Sequence, residues 1–349
     1  MKTITDITTL KNMTVFMRTD IDVPVASDGT IGEAFRIMRQ RETIHHLIDG
    51  GARVVLAGHI SAIPSVDPIR AQLAQLWGVT FGDQVTLLEN TRTNPGEMAN
   101  DAEFAKTLVA GCDLYVNNAF AVCHRAHASV VAAAQLLPAY AGLVVAQEVQ
   151  QLTNVMSAPA EGKVVFMGGA KASTKVPVIT SLIGKAQTIA VGGVIANDVL
   201  KERGYDVGTS VVDADAHTLL AGVDVNDARL AMPDDFVQDG TALLDVGPRS
   251  AARFAELAMG AKVIIWNGPM GRFEDPRYIG ATKTLADAIA SSSATTVIGG
   301  GDTVAALNVL GIGLERFGFV STGGGAMLAF LAGEQLPGLV ALGYDARHA

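Results

Sequence analysis

Two cysteines among 349 residues, Cys112 and Cys123, are too few for a disulfide framework and fit a reducing compartment, so a cytoplasmic protein is expected. Cys123 stands beside His124, yet nothing near it in sequence resembles an activated thiolate, and it reads as an inert small residue. Charged residues make up only 17% of the chain, and an excess of alanine lifts the mean hydropathy to +0.31 without any long apolar run. The longest apolar stretch, Leu136 to Ala146, is interrupted by Pro138 and Gly142 and falls short of the roughly 20 residues that span a bilayer. The first residues, Met-Lys-Thr-Ile-Thr-Asp-Ile-Thr, have an early acid and no apolar h-region, so no secretory signal is expected. A net charge of -9 argues against general nucleic-acid binding. Heptads, low-complexity tracts and short internal repeats are missing too.

What is present is length, an apolar half and a regular rhythm. With 349 residues and 49% hydrophobic content the chain can bury a large core, and its length favours two domains. Apolar runs at 14–17, 53–57, 85–88, 114–116, 164–167, 188–191, 262–265, 296–298 and 319–320 predict strands. Helical periodicity fills 36–49, 102–110, 177–183, 250–259, 278–290 and 303–310 between them. The alternation predicts an α/β protein of two lobes, each a parallel sheet with helices on both faces, with ligands at the carboxyl ends of the strands. Leu143, Val144, Glu148, Leu152 and Val155 fit a helix that the turn residues 157–162 end, and this helix is expected to join the lobes as a hinge. The expected division is 1–145 and 146–335.

Four glycine-rich segments fall where an apolar strand gives way to a helix: Gly168 to Lys175, Trp266 to Glu274, Gly299 to Thr303, and Ser321 to Ala326. Glycine lets backbone N–H groups approach a phosphate, and a helix start adds unpaired donors and a positive dipole end. None of the four fits the P-loop or dinucleotide fingerprints. Tight turns alone would explain any one segment; four together with Lys171, Lys175 and Asp302 point to a polyphosphate site. The first half instead offers Arg18, Arg36, His59, Arg92, Arg125 and His127 at or near strand ends, a set suited to a small compact anion.

Met17 to Pro24 (Met-Arg-Thr-Asp-Ile-Asp-Val-Pro), Leu87 to Glu97, Tyr115 to His127, the four glycine segments and Leu336 to Leu342 together resemble the phosphoglycerate kinase family across nearly the whole chain. The resemblance implies a phosphoglycerate lobe, to which residues 336–349 return, and a lobe for Mg²⁺-ATP or Mg²⁺-ADP, with closure bringing the two ligands together. It implies reversible phosphoryl transfer between 1,3-bisphosphoglycerate and ADP, a glycolytic step, by a monomer acting on small molecules without nucleic acid or membrane. Asp20, Asp22, Arg36, His59, Arg92 and Arg125 would bind the acid. Gly169, Lys171, Lys175, Gly192, Gly193, Asn267, Glu274, Gly300, Gly301, Asp302 and Thr303 would bind the nucleotide, with Asp302 holding Mg²⁺. Arg36, Lys171, Lys175, Gly301 and Gly324 would serve catalysis.

Asp302 and Thr303 could cap the following helix, Arg92 and Arg125 could pair with Glu89 or Asp113, and His124 and His127 read better as structural hydrogen-bonders than as acid–base catalysts. The family's usual arginine after His59 is Ala62 here, its asparagine after Asp20 is Asp22, and its aspartate in the Asn-Asp-Ala-Phe segment is Asn118. The last two changes alter charge in opposite senses and could offset each other. A nucleotide-binding regulatory protein, or a kinase for another small carboxylic acid, are the competing readings.

Overall fold

The computed structural model describes residues 1–345. Contacts divide the chain into two units, Met1–Gln150 with the C-terminal segment from Gln335, and Gln151–Glu334. The first cut lies inside the helix Leu143–Ser157.

The first unit holds five parallel strands, β1 (Thr14–Arg18), β2 (Arg53–Ala57), β3 (Val85–Leu87), β4 (Leu114–Asn117) and β5 (Ala139–Ala141), in the order β3-β2-β1-β4-β5. Strand β1 reads Thr-Val-Phe-Met-Arg, and Val15, Phe16 and Met17 are fully buried, as a strand covered on both faces requires. Its core continues through Ile37, Ile44 and Leu47 of the helix Phe35–Asp49, three residues spaced to form one apolar stripe. Chain order reverses between β1 and β4, so a crevice opens at their carboxyl ends, where Arg18 to Asp22 and Asn117 to Asn118 emerge.

The second unit holds a six-stranded parallel sheet and a hairpin. Its strands are β6 (Lys163–Met167), β7 (Thr188–Val191), β8 (Leu230–Ala231), the hairpin pair β9 (Phe236–Asp239) and β10 (Ala242–Val246), β11 (Val263–Asn267), β12 (Thr295–Gly299) and β13 (Phe319–Val320). Sheet order is β13-β12-β11-β6-β7-β8, all parallel, and the hairpin is antiparallel. Here the order reverses between β6 and β11, the strands that lead into the first two glycine segments.

Most predicted elements stand within a residue or two of their expected bounds; β5, β8, the β9–β10 hairpin, the helices Arg70–Trp77, Gly193–Glu202 and Gly324–Leu331 and the short helices Pro95–Met98, Ala216–Leu220 and Pro337–Ala341 are not among the expected elements. One larger difference is instructive. The helix expected from Pro177 begins at Ala172, with Pro177 inside it, because the carboxylate of Asp213 accepts the Ala172 N–H at 2.8 Å and supplies a cap from a distant segment.

The turns after β6 and β11 meet without room for a side chain. A methyl group on Gly168 would lie 2.0 Å from the carbonyl oxygen of Pro269, a backbone atom that cannot rotate away. Gly168→Ala should therefore cost about 1–3 kcal/mol of stability, as overpacking of a tight contact does, measured as a lowered urea midpoint at unchanged m-value. An unaltered midpoint would mean the two turns can separate freely.

Candidate functional site: an anion crevice and a glycine-lined cavity

In the first unit the strand ends build a chain of buried polar groups. Arg18, only 1% exposed, donates from Nε to Ser129 Oγ (2.8 Å), from one terminal nitrogen to the Thr19 carbonyl, and from the other to His59 Nδ1 (2.7 Å). A guanidinium can only donate, so His59 Nδ1 accepts and its Nε2–H donates to Asp22 Oδ2 at 3.0 Å. Burial lowers the imidazole's proton affinity, against the opposing pull of Asp22, so the ring is neutral in this role. Asp22 also accepts from Ser61 N (2.7 Å) and Ser61 Oγ (3.2 Å). At the other end, Glu97 accepts from Ser129 Oγ (2.5 Å) and Ser129 N (2.9 Å).

His59, Glu97 and His127 bring nitrogen and oxygen atoms within 4.8 Å of one another, the spacing of a metal cluster. Both ring nitrogens of His59 are already taken, and a guanidinium lies against one of them. His59 and Glu97 are instead held in the Arg18 scaffold, and His59 and Asp22, expected at the acid, face each other first. His127 is buried and burial pushes its pKa down to about 4, so the ring is neutral; its Nδ1 has no hydrogen-bond partner, so the expected structural hydrogen bond is not seen at that atom. Burial likewise pushes the Cys123 thiol up to about 12, as an inert cysteine requires.

Asp20 is buried at the mouth of the crevice, with Oδ1 accepting Asp22 N–H at 3.3 Å and Oδ2 left without a partner. Arg36, partly buried on the helix Phe35–Asp49, donates to the Asp22 carbonyl at 3.3 Å. The structure thus brings Asp20, Asp22, Arg36 and His59 together. Arg92 and Arg125 stand partly buried after β3 and β4, and no described carboxylate pairs with either, so the ion pairs with Glu89 or Asp113 do not form. The expected offset between Asp22 and Asn118 is not direct. Asn118 is fully buried and spends its amide on Gln40 (2.8 Å), Thr43 (3.0 Å) and the Val144 N–H (3.0 Å), capping the helix Leu143–Ser157. Ala62 is exposed in a loop held by Asn90, which bonds the backbones of Ile60 and Ile63.

In the second unit a cavity of about 380 Å³ opens at the carboxyl ends of β6, β7 and β11. Gly169, Gly193, Leu243, Leu244, Glu274 and Asp302 are among the residues that line it. Lys175 is 5% exposed, and its ammonium sits over Gly169 and makes no hydrogen bond or ion pair with a described residue. Burial lowers its pKa while the nearby Asp302 carboxylate opposes that shift. Lys171 is exposed at the start of the same helix.

Asp302 is exposed in the first turn of the helix Gly301–Val309 and accepts no capping bond, since Gly300 occupies the cap position without side-chain help. The capping alternative for Asp302 is thereby set aside. Thr303 is different: it is fully buried, and its hydroxyl accepts Gly268 N–H (2.7 Å) and donates to the Gly299 carbonyl (2.8 Å). It holds two glycine turns together and has nothing left for a phosphate. Asn267 does not line the cavity. It is buried against Gly300, with its amide nitrogen unpartnered. Gly192 packs against Met270, while Gly324 lies against Gly300 and brings the fourth segment to the third; Gly301 has open space beside it.

Sequence reasoning missed Asp213, which caps the lysine-bearing helix, and Asp198, whose Oδ1 accepts the Asp213 N–H at 2.8 Å. It also missed Asp245 and Arg272 beside the cavity. Asp198, Asp213 and Asp245 carry no local signal, because each acts on a backbone reached only through the fold, whereas Arg272 lies within the glycine segment Trp266 to Glu274.

The Asp22 carboxyl is held well below the ordinary carboxylate range: burial pushes the other way, but the hydrogen bonds it accepts from His59 and Ser61 outweigh that effect. A lowered folded-state pKa means the stabilisation is complete above the unfolded value near 4 and is lost as pH falls through the folded value. Asp22→Asn should be about 1–2 kcal/mol less stable than the parent near pH 7, and the gap should shrink below about pH 4. Urea denaturation across that range checks both; a gap independent of pH would dissociate the carboxylate from the scaffold.

With both sites described, comparison with known proteins gives one answer. A family model described as phosphoglycerate kinase matches residues 4–334. Curated phosphoglycerate kinases from Moorella thermoacetica and Rubrobacter xylanophilus are 36% and 38% identical, over 95% of this chain and 97% and 96% of theirs. Solved phosphoglycerate kinase structures from Coxiella burnetii and Pyrococcus horikoshii superpose with TM-scores of 0.83 and 0.86 at 32% and 28% identity, each over 98% of both chains. Homology along the whole length, with the same two-sheet architecture, means that the chain belongs to the phosphoglycerate kinase family and is a phosphotransferase.

Proposed function

We propose that the chain moves a phosphoryl group reversibly between 1,3-bisphosphoglycerate and ADP, giving 3-phosphoglycerate and ATP, with the acid bound by the first unit and the nucleotide by the second. The observation that carries this reading is the glycine-lined cavity, where two lysines and an aspartate uncommitted to protein partners adjoin the turns after parallel strands. Direct transfer needs the acid oxygen and the phosphoryl phosphorus about 3–3.5 Å apart. Closure about the helix Leu143–Ser157 is the proposed means of meeting that requirement.

The acid oxygen that attacks is a carboxylate, already ionised near pH 7, so no general base is needed. Asp20, with an unpartnered carboxylate oxygen, accepts the substrate hydroxyl; Arg36, Arg92 and Arg125 supply planar donor forks for its carboxylate and phosphate. His59 and Asp22 act behind them by fixing the Arg18 scaffold. Lys171 and Lys175 neutralise charge that spreads over the transferred group's oxygens, helped by backbone N–H groups of Gly300, Gly301, Gly323 and Gly324. Asn267 offers its free amide hydrogens at the same turns. Glu274 lies along the nucleoside. Asp302 is an uncommitted anionic oxygen ligand of the kind Mg²⁺ prefers and would hold the ion, which when bound would supply charge neutralisation at the phosphates. Free Cys112 and Cys123 fit a cytoplasmic enzyme, and we take it to act as a monomer on small molecules alone.

The direct test is a coupled assay with Mg²⁺-ATP and 3-phosphoglycerate, in which absence of turnover would remove the proposal. Lys171→Ala should lower kcat and kcat/KM together by about 100-fold, while calorimetry shows Mg²⁺-ADP binding nearly intact. Near-normal turnover would remove the lysine from the transition state. Asp302→Asn should weaken Mg²⁺-dependent nucleotide binding roughly 10- to 100-fold, leaving metal-free ADP binding almost unchanged; the same Mg²⁺ dependence in both proteins would take the metal away from Asp302.

A further inference from the structure

The nucleoside end of the cavity has one charged wall residue without a task. Leu243, Leu244, Val194, Val211, Pro269 and Phe273 make that wall apolar, and the ionisable residues that line the cavity are Arg272, Glu274 and Asp302. Asp302 and Glu274 already have roles in the proposed function. Arg272 is exposed, and its guanidinium makes no hydrogen bond or ion pair with any described residue.

Its backbone, by contrast, is held from two sides. The Arg272 N–H donates to the Leu244 carbonyl at 2.9 Å, which ties it to the apolar wall. The preceding residue, Gly271, lies directly on the buried carboxylate of Asp245, where an added methyl would come within 2.1 Å of Oδ1 and 2.6 Å of the Tyr278 carbonyl. Asp245 is itself fixed, accepting Val246 N–H at 2.9 Å and Ala281 N–H at 3.0 Å, the latter at the start of the helix Gly280–Ser291. A register shift in the β9–β10 pairing between Leu243 and Asp245 marks a bulge, a device that re-aims side chains beside functional sites. The main chain of Arg272 is thus pinned at the cavity wall while its side chain is left for a ligand.

We propose that Arg272 is a specificity-determining residue that reads the acceptor edge of a purine base and shifts the preference of the site toward 6-oxopurine over adenine nucleotides. The reasoning is geometric. A guanidinium fork matches two adjacent acceptors, and guanine and hypoxanthine present O6 and N7 side by side, whereas adenine presents N7 beside an N6 donor. The fork therefore gains two bonds with a 6-oxopurine and one at most with adenine. This rests on the nucleotide reading of the same cavity, and the test separates the two.

The experiment measures kcat/KM for Mg²⁺-ATP, Mg²⁺-GTP and Mg²⁺-ITP at saturating 3-phosphoglycerate, with the parent and with Arg272→Met, a substitution at an exposed position that keeps the stem length and removes the fork. The expected result is a fall of about tenfold in kcat/KM for GTP and ITP relative to ATP, carried by KM with kcat little changed. ITP should follow GTP, because the two share O6 and N7 and differ in the 2-amino group. Calorimetry with GDP and ADP should repeat the shift without turnover. An unchanged GTP to ATP ratio, or an equal loss on all three nucleotides, overturns the proposal while leaving the nucleotide site standing; a parent protein that uses and binds no nucleotide overturns both.

Discussion

The second unit depends on hydrogen bonding that continues past the ends of its strands. Gly168 N–H donates to the Asn267 carbonyl (2.9 Å), Gly169 N–H to Pro269 (2.8 Å), Gly193 N–H to Met270 (2.8 Å) and Val194 N–H to Gly169 (3.0 Å). Three strand-to-helix turns are thereby sewn into one surface at the switch between β6 and β11. Thr303 adds the fourth strand's turn through Gly268. Because the backbones touch, side chains are excluded from the seam, and the cavity is walled by main chain along it. Lys175 reaches that wall only because its helix starts early, at the cap provided by Asp213.

The first unit reaches a comparable rigidity by different means. Its crevice is organised around one buried cation, Arg18, each of whose three nitrogens donates a hydrogen bond, to Ser129, Thr19 and His59. Burying a guanidinium is costly unless its bonds are satisfied, and the chain from Glu97 through Ser129 to His59 and Asp22 satisfies them. The side effect is functional. Groups that look free in the sequence, His59 and Asp22, are consumed by the scaffold, while Asp20 keeps an unpartnered oxygen and Arg36 sits beside it. The charge lost at Ala62 is not replaced locally, since Ser61 beside it bonds Asp22 instead.

Where sequence and structure agree, the cause is short-range. Strand β2 at Arg53–Ala57 and β7 at Thr188–Val191 fall on their expected bounds because continuous apolar runs flanked by turn residues can hardly be anything else in a parallel sheet. Where they differ, the deciding contact is distant. Pro177 marks a helix start by its local rule, yet Asp213 moves the start back to Ala172. The hairpin of β9 and β10 has weak alternation and is stabilised by what it packs against, with Asp245 capping the helix Gly280–Ser291 from 36 residues away.

The sequence by itself determined the α/β class, the two sheets, the family and the turns where phosphates are expected, because glycine-rich strand-to-helix turns and apolar periodicity are local properties that survive without coordinates. It also put Lys171, Lys175, Asp302, Asp20 and Arg36 on the right strand ends and helix starts. Only the tertiary structure decided which of the polar residues are available. Thr303 and Asn267 share one motif language with Asp302, but Thr303 is spent on backbone and Asn267 turned toward Gly300, while Asp302 stays uncommitted. A hydrogen-bonding group can serve a ligand only if the fold does not use it first, and that allocation is made by contacts between segments that the sequence keeps far apart.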